Sequence, residues 1–228
     1  MQITFHGHAC FELREGDATV LVDPFLAPNN PAAQVTAEEV DPTHVLLTHG
    51  HGDHIADAVA VAKRTGAHCV AITELAHWLK EQGVEEVTGP NLGGTVPFDW
   101  GRVKVVPAWH TNTTPDRTVM GAAAGLVIEL GGVTVYHLGD TALFSDLRLI
   151  GERESPDVAI VPIGGHFTMD RHDAAYACEL IGAGTVIPCH YDTFSRIETD
   201  SGAFKAEVEA ATQSEVVLLE PGESHEVK

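Results

Sequence analysis

In Val45-Leu46-Leu47-Thr48-His49-Gly50-His51-Gly52-Asp53-His54 an apolar run breaks off into four donor side chains within six residues. The apolar part reads as a strand, so the donors sit at a strand end. Residues two apart on an extended chain point the same way, and His49 and His51 can therefore share one ion. Gly50 and Gly52 free the backbone to turn, which would swing Asp53 and His54 toward a neighbouring position at the start of a helix. One segment can thus seed two metal positions. Neutral imidazoles with carboxylates, and no thiolate, suit Zn, Mn, Fe or Ni better than Ca or Mg. Buried polar groups need partners, and a metal would satisfy all four donors together.

Working outward, short apolar runs alternate with helical patterns along the whole chain. Strands are expected at ITFHG, ATVLVDP, HVLLTH, HCVAIT and VKVVPAW, then at AGLVIEL, VTVYHLG, VAIVPIG, TVIPCH and VVLLEP. Gly131-Gly132 between AGLVIEL and VTVYHLG suits a tight antiparallel hairpin. Helices are expected over 54–64, 74–82, 143–150, 171–181 and 202–211. Thr36-Ala37-Glu38-Glu39 matches a capping box, and Asp170 stands at the N-cap of RHDAAYACELI. PNLGGTVPFDWG reads as a surface loop with an edge strand. The pattern fits two packed sheets with helices on their outer faces.

With 228 residues, 44% of them hydrophobic, the chain can bury a large core yet is short enough for one domain, expected over 1–228. The opening MQITFHGHACFEL has no basic segment leading an apolar run, and no later stretch reaches the roughly 18 apolar residues of a membrane span. A soluble, unprocessed, cytoplasmic protein with no membrane partner is expected. Cys10, Cys69, Cys178 and Cys189 form no CxxC pair and read as free, buried thiols of a reducing compartment. The formal charge of −20, from 33 acidic and 13 basic residues, repels nucleic acid. Bound divalent ions would reverse the field locally, so an anionic small molecule could still be drawn to the site. Fourteen histidines in so small a chain point again to transition-metal ligation.

HGHGDH resembles the HxHxDH signature of the metallo-β-lactamase superfamily, and further matches follow in that family's order: Asp23 closing ATVLVDP, His110 after VKVVPAW, Asp140 in HLGDT and His190 in VIPCHY. The resemblance implies an α/β fold, a four-layer αββα sandwich. It implies two divalent transition metal ions, Zn first and Mn, Fe or Ni otherwise. One would be bound by His49, His51 and His110, the other by Asp53, His54 and His190, with Asp140 bridging. Asp23 would stand behind the ligands and orient the loop or a ligand imidazole, although a plain Asp-Pro turn also explains it. FHGHACFEL and PIGGHFTMD are similar to a compact group of cytoplasmic metal-dependent hydrolases related to ascorbate-6-phosphate lactonase, which also implies a homo-oligomer.

The reaction so implied is hydrolysis of a small ester, lactone or phosphoester by a hydroxide shared between two ions. Asp53, Asp140 and His166 are the expected catalytic residues, His166 as general acid or substrate contact. His8 is expected near the rim, bonding substrate or a ligand carboxylate, or else as a satisfied core histidine. Phe167 and Met169 read as pocket wall or core. His6, His44, His68, His77, His137, His172 and His225 read as structural or exposed. A phosphodiesterase or nuclease of the same superfamily would want a basic docking arm. A non-catalytic metal-binding sensor or scaffold would have shed ligands. A flavin-linked diiron oxygen reductase resembles a chain with Glu where His51 stands and an attached flavin domain.

Overall fold

A computed structural model describes residues 1–227; Lys228, the last position of the expected domain, lies outside the described residues. The first six strands are β1 Gln2–Gly7, β2 Cys10–Glu15, β3 Ala18–Val22, β4 His44–Leu46, β5 His68–Val70 and β6 Val87–Thr88. They are followed by β7 Thr95–Phe98, β8 Gly101–Pro107, β9 Ala124–Leu130, β10 Val133–His137, β11 Val158–Pro162, β12 Thr185–Cys189, β13 Glu215–Val216 and β14 Ser224–Glu226. The helices are α1 Gly52–Ile55, α2 Ala58–Thr65, α3 Thr73–Glu81, α4 Asp146–Glu154, α5 Arg171–Ile181 and α6 Ser201–Ala211.

Two seven-stranded sheets form, ordered β14-β1-β2-β3-β4-β5-β6 and β13-β12-β11-β10-β9-β8-β7. Each joins an antiparallel half to a parallel half. In the first, β1, β2 and β3 are antiparallel and β3 to β6 parallel; in the second, β7 to β10 are antiparallel and β10 to β13 parallel.

Strand alternation sorts the apolar residues into three layers of core. Val20, Val22, Leu126, Ile128, Val158 and Ile160 point inward and pack the two sheets together. Leu21 and Leu47 face outward onto Val61, Leu75 and Leu79 of α2 and α3. Val127, Ala159 and Val161 face the other way onto Leu147, Ala177 and Phe204 of α4, α5 and α6. Each such side chain fully removed from water contributes roughly 1.5–3 kcal/mol, so both faces of both sheets are committed. The result is the four-layer αββα sandwich.

Local signals explain most elements. The hairpin between β9 and β10 turns on Gly131 and Gly132 at φ 60° and 83°, with Leu130 opposite Val133. Asp170 caps α5, accepting from the backbone N–H of His172 and Asp173. Pro97 lies in β7, an edge strand, where a missing N–H costs nothing.

Other expectations need correction. The helix expected over 54–64 is broken into α1 and α2, because the Asp57 carboxylate accepts from Leu26 N–H at 2.7 Å and Asn29 Nδ2 at 2.8 Å, fixing the chain between them. Half of the capping box at Thr36 forms: Glu39 Oε2 accepts from both the backbone N–H and the hydroxyl of Thr36, while the Glu39 N–H bonds to the Thr36 carbonyl. Only a turn follows it, since Pro42 stops any helix three residues on. Strand β2 was not among the expected set, and of VVLLEP only Val216 lies in a strand, as the second residue of β13. All four cysteines are free and buried. Among the described residues no helix is long and apolar enough to cross a membrane.

Candidate metal centre

Strands β1 and β3 run the same way, as do β3 and β4, and in the other sheet β8, β10 and β12 do likewise. Just beyond their carboxyl ends stand His8, Asp23, the 48–54 segment, His110, Asp140 and His190. Open α/β sheets characteristically present ligand sites at such ends.

Two groups of donors gather there. Ring nitrogens of His49, His51 and His110 lie within 4.8 Å of one another, with His51 Nδ1 at 3.0 Å from His49 Nε2 and 3.3 Å from His110 Nε2. Asp53, His54 and His190, together with His8, form the second group within the same span. Asp140 reaches both. Its Oδ2 lies 3.5 Å from His110 Nε2 and 3.9 Å from His49 Nε2, and 3.1 Å from His190 Nε2, while Oδ1 lies 3.4 Å from His54 Nε2. All seven sequence-derived ligands are thus brought together, with Asp140 between the groups.

The donors are aimed by residues behind them. Asp23 is fully buried; its Oδ1 accepts from Thr48 N–H at 2.8 Å and its Oδ2 from the Thr48 hydroxyl at 2.6 Å. Asp23 Oδ2 also takes the Nδ1 proton of His54 at 2.7 Å, which leaves the His54 Nε2 lone pair facing inward. His8 donates Nε2–H to Asp53 Oδ2 at 3.1 Å and accepts at Nδ1 from the Thr193 hydroxyl at 3.0 Å. Burial and the neighbouring His190 push His8 down to about 4, so it is a neutral ring with one proton to give.

The chain turns into α1 at Gly52 and carries Asp53 and His54 to the second group, although neither Gly50 nor Gly52 takes a positive φ. Gly50 is also a close approach: a Cβ there would stand 3.2 Å from Asn112 Oδ1, the atom that accepts its N–H at 2.8 Å. Asn112 also donates Nδ2 to the carbonyls of Met120 and Ala122, tying the segment carrying His49 and His51 to the loop after His110. The sequence reading passed over Asn112, and a polar residue two positions beyond a ligand was its only signal. Backbone strain marks the site too. His8, Asp23 and His190 hold φ 60°, 47° and 54°, each costing on the order of 1–3 kcal/mol in a non-glycine residue.

Electrostatics and hydrogen bonding both call for cations. Burial lowers His49, His51 and His110, leaving neutral rings. Burial opposes charge on Asp140 and Asp53 as well, yet His190 and His54 hold Asp140, and the His8 hydrogen bond and His54 hold Asp53, well below the usual carboxylate range. Burial likewise opposes a charge on His54, and Asp140 and Asp23 outweigh it, raising His54 well above the ordinary imidazole value. A proton there answers the same need for positive charge that a metal ion would. His54 Nε2, Asp140 Oδ1 and both ring nitrogens of His190 are buried without a hydrogen-bond partner. His190 Nε2 comes to 3.1 Å of a carboxylate oxygen yet lacks hydrogen-bond geometry. Orphaned nitrogen and oxygen donors converging in this way fit a transition-metal site.

His166 is not in the cluster. It is exposed, at φ 51°, and borders a trench beside the basin, next to Phe167. Phe167 is a wall of both cavities, whereas Met169 is core at 2% exposure.

Residues 2–190 match the beta-lactamase superfamily domain. A UPF0173 metal-dependent hydrolase of Methanopyrus kandleri is 48% identical over 230 residues, covering 99% of this chain and 100% of that one. A UPF0173 metal-dependent hydrolase of Pelotomaculum thermopropionicum is 46% identical over 232 residues, covering both in full. The solved structure of Igni18, a metallo hydrolase from the archaeon Ignicoccus hospitalis, superposes with a TM-score of 0.89 at 36% identity, covering 100% of this chain and 99% of that one.

Proposed function

This chain belongs to the beta-lactamase superfamily, and from there we propose that it is a metal-dependent hydrolase acting on a small ester, lactone or phosphoester. The reading rests above all on Asp140, whose Oδ2 lies 3.5 Å from His110 Nε2 in one group of donors and 3.1 Å from His190 Nε2 in the other, while its Oδ1, His54 Nε2 and both ring nitrogens of His190 are buried without a hydrogen-bond partner. His49, His51 and His110 would hold one ion, Asp53, His54 and His190 a second, with Asp140 shared, and Zn heads the candidates before Mn, Fe and Ni. When bound, such ions supply Lewis acidity toward a carbonyl or phosphoryl oxygen and a hydroxide nucleophile at neutral pH.

The chain's own residues do the rest. Asp23 keeps the proton of His54 on Nδ1, so that Nε2 is free as a donor atom. His8 occupies one oxygen of Asp53 and limits the rotation of that carboxylate. Asn112 holds His49 and His51 in register with His110. His166, on the trench side, is positioned to protonate a leaving group that departs along the trench rather than one deep in the basin. We treat residues 1–227 as one hydrolase domain, because the core between the sheets draws on strands from both halves of the chain. A non-catalytic sensor or scaffold is the weaker reading, since all seven donors are present and five of them line one cavity.

Metal analysis of protein purified without added metal tests this, alongside His51→Ala and Asp140→Ala. About two equivalents of a transition metal per chain, falling in both variants, is the expected result. A protein that carries no metal and takes up neither Zn nor Mn overturns the hydrolase reading.

A further inference from the structure

The basin holding the donors, about 390 Å³, opens sideways into a trench of about 740 Å³. His110, Thr111 and Phe167 belong to the walls of both, so the two are continuous. The trench is apolar. Trp109 stands 70% exposed and Phe167 49% exposed along it, with Leu92, Pro107 and Ala122 among the other residues that line it. Among the described residues neither cavity is lined by a Lys or an Arg.

The two exposed aromatic rings are held out by rigid backbone. Thr141, 1% exposed and next to Asp140, accepts the Trp109 N–H at its hydroxyl at 3.0 Å. Its carbonyl accepts the Met169 N–H at 3.1 Å, and the Met169 carbonyl in turn accepts the Gly165 N–H at 2.9 Å, closing the turn that carries Phe167. Ala142 N–H bonds back to the Trp109 carbonyl at 3.1 Å. Both walls therefore hang from the residue beside the shared carboxylate. Apolar surface of this kind, fixed in place and facing water, marks a binding site. A charged group lying along the trench would call for an opposite charge at its wall, and no lysine or arginine lines it.

We propose that the trench between Trp109 and Phe167 binds an uncharged apolar arm of the substrate, aryl or long-chain acyl, while the scissile group lies among the donors of the basin. The substrate is then an ester, lactone or phosphoester that bears such an arm. This rests on the metal-dependent hydrolase reading above. The position of the trench also fits the exposed His166 on its border, beside which the arm would run.

Calorimetric titration of the metal-loaded protein with two metal-binding probes, acetohydroxamate and 6-phenylhexanohydroxamate, separates the possibilities. The arylalkyl probe is expected to bind about tenfold tighter or more, from the apolar area its arm removes from water. That ratio should fall toward one in the double variant Trp109→Ala/Phe167→Ala, whose changes are at exposed positions, with its thermal midpoint confirming the fold. Equal affinities in the parent would overturn the trench assignment and leave the metal centre standing. Binding of neither probe would instead overturn the hydrolase reading, and the trench assignment with it. A double variant that loses self-association in sedimentation while keeping the affinity ratio would show the aromatic pair to be a contact between copies, and would also overturn it.

Discussion

Replacing Asp23 by Asn changes one atom in a fully buried residue and forces a choice between two losses. Oδ2 receives two donors, the Thr48 hydroxyl and His54 Nδ1–H, while Oδ1 receives the Thr48 N–H. If the amide oxygen takes the place of Oδ2, its nitrogen confronts the Thr48 N–H at the 2.8 Å now spanned by a hydrogen bond, and two donors meet. If the amide flips, its nitrogen donates to His54 Nδ1, and the His54 proton moves to Nε2, the atom that must be bare to hold a metal. The first arrangement loses a charge-assisted bond in the interior, worth about 1.5–3 kcal/mol of folding stability. The second removes a ligand, and loss of such an orienting carboxylate typically weakens metal binding about 10- to 100-fold, or about 1.4–2.7 kcal/mol. Chelator competition with Zn, run beside urea denaturation of metal-stripped protein, reads both. Asp23→Asn should show at least one of these losses at full size. If it binds Zn within twofold of the parent and unfolds within about 0.5 kcal/mol of it, the orienting role assigned to Asp23 is wrong.

Other outcomes follow from the same geometry. Asn112→Ala leaves the Gly50 N–H and two carbonyls without their partner and should destabilise the fold by about 1–3 kcal/mol; urea unfolding checks it, and a change under about 0.5 kcal/mol would show the tie to be dispensable. Burial pushes His6 down to about 4, its Nε2 having no partner, whereas an unfolded chain titrates near 6.5. The unfolded state then binds more protons between those values, so stability is full above about pH 6.5 and falls as pH drops through 4, by up to about 3 kcal/mol. Thermal midpoints of the parent and His6→Gln should converge on acidification, and parallel curves would refute the assignment. His44, lowered to about 4 by burial and His68, adds loss in the same direction in both proteins.

What could be read in the sequence was what depends on neighbours in the chain. The donors from His49 to His54 lie within one short segment, and Asp23, His110, Asp140 and His190 each follow a run of β-branched residues that ends in a turn. Helix α5 and its Asp170 cap were equally local. What could not be read depends on distant partners. The break between α1 and α2 is fixed by Asp57 bonding a loop about thirty residues upstream. The role of His8 is set by Asp53, 45 positions away, so the sequence left it open between rim and core. Asn112 reveals itself only through its bonds to Gly50, Met120 and Ala122. The second reason for Gly50 is hidden in the same way, since its close approach to Asn112 is invisible without the fold. Strand β2 pairs between β1 and β3 although CFELRE carries three charges, because Phe11 and Leu13 alternate into the inner core.

The distribution of the donors over both halves of the chain has a practical corollary. His49, His51, Asp53 and His54 all precede the 89–94 connection between the sheets, and His110, Asp140 and His190 all follow it. A chain cut in that connection would give two fragments, one carrying four of the donors and the other three, and neither carrying the full set proposed for either metal position. A rise in metal affinity on mixing such a pair would therefore act as a reporter of reassembly, seen only when the two fragments meet.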